Sequence, residues 1–128
     1  AQLNSSCSTV FKLVTDVANQ SSWRSDVQEI RLIDQNTWTE VPKKGTSITF
    51  KVTRKIENQL FEIEVIEPKH FKAYWIGTFQ PTTTGTTVVF KEVVTIDNPF
   101  FRVMSLIFLD LNKILDVYMN NLKTKLGE

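Results

Sequence analysis

The sequence is poor in the residues that most often announce chemistry. It holds one cysteine, Cys7, and one histidine, His70. A single cysteine excludes an internal disulfide framework and fits a reducing compartment, so a cytoplasmic setting is expected. A single histidine obliges any Ser-His or Cys-His pair to use His70. It sits in a Pro68-Lys69-His70 turn, where a solvated side chain is the ordinary outcome. Cys7 has no base near it in sequence and reads as a small buried side chain. Neither a metal site nor a cofactor is expected.

Other absences narrow the field further. The glycines Gly45, Gly77, Gly85 and Gly127 stand alone, which excludes a glycine-rich phosphate loop. Net charge is +1 with Lys and Arg scattered, so no basic cluster marks a nucleic-acid partner. The longest apolar region, Phe100 to Leu111, is too short for a transmembrane segment and carries Arg102 and Asp110. No basic region followed by an apolar one opens the chain, so no signal peptide is read. With 128 residues, 41% hydrophobic and 23% charged, residues 1–128 are expected to form one domain with a substantial core.

What the chain does have is a long final helix. Asn98 suits a helix N-cap and Pro99 the first helical position. Nothing then interrupts the run until Gly127, which can close it in a left-handed conformation. Lys123 and Lys125 fall in the last turn, where the helix dipole favours cations. Such a helix is about 40 Å long. Phe100, Val103, Met104, Ile107, Leu111, Ile114, Tyr118 and Leu122 recur at helical spacing and form one stripe. The Phe100–Leu111 half is apolar nearly all round and must be buried on several sides or face a ligand, partner or membrane.

A shorter helix is expected from about Ser6 to Ala18. The middle of the chain alternates with period two. One face collects Ile48, Phe50, Val52, Arg54 and Ile56; then Phe61, Ile63 and Val65; then Phe71, Ala73, Trp75, Gly77 and Phe79; then Val88, Phe90, Glu92, Val94 and Ile96. A two-residue hairpin loop at Glu57-Asn58 would pair Arg54 with Phe61, Val52 with Ile63 and Phe50 with Val65, and Lys51 would face Glu64 on the outside. The inner face is then a continuous apolar surface on which the last helix can lie. The expected fold class is α+β: a curved antiparallel sheet of six to seven strands wrapped around a long C-terminal helix.

The order of these features resembles the START-like, or SRPBCC, helix-grip superfamily, within its polyketide cyclase/dehydrase and lipid-transport group. The resemblance rests on Val10-Phe11, Asp16-Val17-Ala18, Trp23, Asp26-Val27, Gly45-Thr46, Gly85-Thr86-Thr87 and the terminal helix. It implies a cavity between sheet and helix that holds an apolar small molecule. It also implies a strand ahead of the first helix, for which only Ala1 to Asn4 remain. That strand is very short or missing. If it is missing, an open edge on the Thr86–Ile96 strand would invite self-association.

Candidate ligand-binding residues are Phe50, Val52, Arg54, Phe61, Ile63, Trp75, Phe90, Glu92, Met104, Phe108 and Leu111. Arg54 and Glu92 break an otherwise apolar face, and a buried charge needs a partner, water or a polar ligand group. A carrier or sensor of a hydrophobic small molecule or lipid needs only the apolar lining. An enzyme of the cyclase or dehydratase type would need Glu92 as its acid or base. An interaction module would use the apolar start of the last helix. Much lining and little catalytic apparatus favour the binder.

Overall fold

The structure is a computed structural model, and it describes residues 1–69, 71–96 and 111–128. The elements, in chain order, are β1 (Gln2–Leu3), α1 (Cys7–Thr15), a 3-10 helix (Val17–Ser22), β2 (Val27–Asp34), β3 (Thr37–Pro42), β4 (Ile48–Ile56), β5 (Leu60–Glu67), β6 (Phe71–Pro81), β7 (Thr86–Ile96) and α2 (Leu111–Lys125). All strands join one antiparallel sheet in the order β1-β7-β6-β5-β4-β3-β2. The expected α+β class, with a curved sheet gripping the C-terminal helix, is the observed one.

β1 exists but is two residues long, pairing Gln2 with Thr87 and Leu3 with Thr86. Leu3 is fully buried, so even this short strand plugs the core. α1 is shorter than the spacing suggested. The Ser6 side chain caps it by accepting from the Thr9 N–H, and it ends at Thr15, whose hydroxyl donates back to the Phe11 carbonyl at 2.8 Å. Val17 then opens the 3-10 helix, yet Val10, Phe11, Val14 and Val17 all still face inward.

The β4–β5 hairpin departs from the expected register in an informative way. Its loop has three residues, Glu57 to Gln59, with Asn58 at φ 61° and the Gln59 N–H donating to the Ile56 carbonyl at 2.9 Å. Asn tolerates that left-handed conformation. The extra loop residue shifts Arg54 opposite Glu62 and Lys55 opposite Phe61. A bulge between Val52 and Arg54 then absorbs the shift, so Val52–Ile63, Lys51–Glu64 and Phe50–Val65 pair as expected. Farther along, Ile63–Trp75, Trp75–Glu92 and Gly77–Phe90 also hold.

The inner surface is divided. At one end Leu3, Val10, Phe11, Val14, Phe61, Phe79, Val88 and Leu122 form a close-packed core. At the other end Ile48, Phe50, Ile63, Val65, Glu92 and Val94 are only half-buried, because they line a hollow. α2 serves both. Leu122 plugs the core, Tyr118 packs at the border, and Ile114 and Leu115 reach the hollow. Gly127 terminates the helix at φ 78°, with Glu128 donating its N–H to the Lys123 carbonyl at 2.8 Å. Asn98, Pro99 and residues 100–110, which make up nearly all of the apolar first half of the expected helix, lie outside the described residues.

Candidate functional site

A cavity of about 270 Å³ lies between the concave face and α2. Its apolar walls are Trp38, Ile48, Phe50, Phe61, Ile63, Val65, Trp75 and Val94 from the strands, with Ile114 and Leu115 from the helix. Aromatic contacts form the border toward the core. The Trp75 ring centroid lies 5.0 Å from Phe90 and 5.7 Å from Tyr118, while Phe90 meets Tyr118 edge-on at 5.4 Å. Such pairs add stability beyond the area they bury. Gly77 makes this arrangement fit: a β-carbon there would stand 2.7 Å from the Trp75 ring and 3.2 Å from Phe90.

The cavity also has a polar end, built largely from residues outside the alternating strands. Arg24 follows the 3-10 helix, and its side chain is only 9% exposed. It makes two parallel bonds to Glu40 on β3, at 2.9 and 3.0 Å, plus one to Asp26 at 3.0 Å and one to the Gln20 side-chain carbonyl oxygen at 3.0 Å. Gln20 is itself held by donating to the Val14 carbonyl at 2.9 Å. The forked geometry of arginine suits a carboxylate in this way, and lysine could not reproduce it. Burial disfavours the guanidinium charge, but Glu40 and Asp26 more than offset that, and its pKa stands above the ordinary arginine value.

Glu92 reaches the same hollow from β7. Among the described residues no hydrogen bond or ion pair engages its carboxyl. Burial raises its pKa first, the nearby Glu40 anion raises it further, and Arg24 pulls the other way. Tyr118 is raised as well, chiefly by burial, so its phenol stays protonated. The arrangement thus offers an apolar chamber, a fixed Arg24–Glu40 pair and, at Glu92, a carboxyl without a partner among the described residues, able to accept a hydrogen bond, exchange a proton or face a cation.

The expected site residues divide accordingly. Phe50, Phe61, Ile63, Trp75 and Glu92 line the cavity. Val52 and Phe90 lie behind it, packed against the core. Arg54 does not face inward, which corrects the expectation. The bulge at Thr53 turns it to the outer face, where its side chain is 61% exposed and pairs with Glu62 at 3.3 Å. Met104 and Phe108 lie outside the described residues, as does the side chain of Leu111. The inward cation is instead Arg24. Glu40 was readable in principle, because it stands two residues from Trp38 and therefore on the same face. Arg24, in an irregular segment, carried no periodic signal.

An antiparallel sheet of this order closed around a C-terminal helix, with a hollow between them, defines a START-like protein. The chain belongs to the polyketide cyclase/dehydrase and lipid transport family, which it matches over residues 1–127. No curated protein matches it by sequence. Solved structures share the fold. A conserved protein from Geobacillus kaustophilus superposes with a TM-score of 0.75 at 11% identity, covering 98% of this chain and 90% of that one. A START superfamily protein from Mycobacterium smegmatis gives 0.72 at 15% identity, covering 96% and 90%. Norcoclaurine synthase from Thalictrum flavum, solved with dopamine and hydroxybenzaldehyde, gives 0.73 at 8% identity, covering 97% and 81%. At such identities the likeness is one of fold.

Proposed function

We propose that this chain binds a hydrophobic small molecule or lipid, as a carrier or sensor, in the cavity between the sheet and α2. The observation that carries this is the chamber itself: about 270 Å³, apolar on most sides, with polar groups gathered at one end. Apolar walls with a few placed polar groups are the usual make-up of a small-molecule site. Small-molecule pockets commonly span roughly 300–1,000 Å³, so this volume suits a compact molecule. A second function, acid–base catalysis of the cyclase or dehydratase kind, draws support from Glu92 alone. Its raised pKa and cavity position suit a proton donor or acceptor.

Native mass spectrometry of the purified protein tests the binding function. The expected spectrum shows a mass increment that disappears on denaturation, from a compound with a large apolar part. A bare protein that also fails to take up any apolar fluorophore would overturn the proposal.

A further inference from the structure

We propose that the cavity selects an apolar molecule whose polar end is a cation, such as a protonated amine, and that Glu92 is the counter-charge that receives it. This deepens the binding function above and rests on it.

Among the described residues, six charged or titratable side chains face the hollow. Arg24 and Asp26 come from the segment before β2, Glu40 from β3, Lys44 from the β3–β4 loop, Glu92 from β7 and Tyr118 from α2. Lys44 is exposed and Asp26 is 43% exposed, so both charges sit toward solvent, where water screens them. Tyr118 stays neutral. Deeper in, one guanidinium faces two carboxyls. Arg24 is already committed to Glu40 through two bonds and to Asp26 and Gln20 through others. The remaining charged group of the deep end is Glu92, with no partner among the described residues.

Two cavity-lining residues carry unpaired donors of the kind an anionic ligand would need. The Arg24 Nε–H and the Trp38 indole N–H are both unpaired, but both are buried away from the cavity surface. A ligand in the chamber meets the carboxyl and not these donors. Among the described residues an incoming carboxylate would face Glu40 and Glu92 at the deep end, and the one cation there not bound to a carboxylate, Lys44, stands at the exposed rim. An incoming ammonium gains the attraction of Glu92 inside a low-dielectric wall, where that attraction exceeds its value in water. Because burial holds Glu92 above the ordinary carboxyl range, cation binding must also expel its proton when the pH lies below its pKa.

The experiment uses three probes with one apolar body: 3-phenylpropylamine, 3-phenylpropan-1-ol and 3-phenylpropanoate. Each is titrated by calorimetry into the full chain at pH 8. The expected order is amine, then alcohol, then carboxylate, with the amine at least about tenfold tighter than the carboxylate. Glu92→Gln should shrink that ratio to about threefold or less. A measurement on the unsubstituted protein covers the case in which the variant does not fold. Amine titrations at lower pH in buffers of different ionisation enthalpy should show proton release, and the alcohol should show none. A carboxylate as tight as the amine, a ratio unchanged in Glu92→Gln, or amine binding without proton release at any pH from 4 to 8 would overturn the inference while leaving the cavity a ligand site. Saturation by none of the three would overturn the binding function and this inference together.

Discussion

The Arg24 guanidinium stands 5.1 Å from the centroid of the Tyr118 ring. One residue lies just beyond the 3-10 helix and the other on α2, so this contact joins the two walls of the cavity at its polar end. Tyr118 also meets Trp23 edge-on at 5.4 Å, and Trp75 and Phe90 from the sheet. A single helix residue therefore touches the 3-10 region, β6 and β7. A cation over an aromatic face is worth about 0.5–2 kcal/mol, most where water is excluded. The same geometry keeps Arg24 aligned for Glu40.

Removing Arg24 should cost far more than that contact. Arg24→Met leaves Glu40 in the cavity without its bidentate partner. Loss of one member of a buried pair typically destabilises by about 3–5 kcal/mol. The double variant Arg24→Met/Glu40→Leu should recover much of the loss, because no orphaned charge remains. Chemical denaturation of the wild type, both single variants and the double variant checks this. Additive losses would show that the pair is not coupled.

Glu92 gives a pH-dependent prediction whose sign follows from its raised pKa. The folded state holds this proton more tightly than the unfolded chain. The burial cost is therefore absent below the unfolded carboxyl value, about 4.3, and grows as pH rises from there through the folded value. Glu92→Gln should melt at a higher temperature than wild type at pH 8. The difference should close below about pH 4. Melting curves across that range test it, and a variant less stable at pH 8 would show that Glu92 has a stabilising partner.

Gly77→Ala should strain the aromatic border. The added methyl meets the Trp75 ring at 2.7 Å, so ring or strand must move. Overpacking of this kind costs about 1–3 kcal/mol. Because Trp75 also lines the cavity, the variant should weaken apolar-probe binding and shift tryptophan emission. Unchanged stability and emission would mean that the border yields freely.

The fold was legible where periodicity spoke. Alternation set the inner face of β4 to β7, and helical spacing placed Tyr118 and Leu122 on the buried side of α2. Parity also put Trp75 and Glu92 side by side. It failed at Arg54 because one bulged residue reverses facing, and a bulge leaves no mark in a hydrophobicity pattern. It missed Arg24 because an arginine in an irregular segment reads as surface until its carboxylate partner is known. Half of the polar end thus comes from long-range pairing that alternation cannot express.

The most direct test of the ligand cavity is an NMR titration of the ¹⁵N-labelled protein with the apolar probe N-phenyl-1-naphthylamine. Saturable shifts are predicted at the indole N–H groups of Trp38 and Trp75 and at the amides of Ile63, Glu92 and Leu115. The outward-facing Thr53, Arg54 and Glu62 should stay unmoved. Shifts confined to the outer face, or no saturable shift at all, would contradict the account.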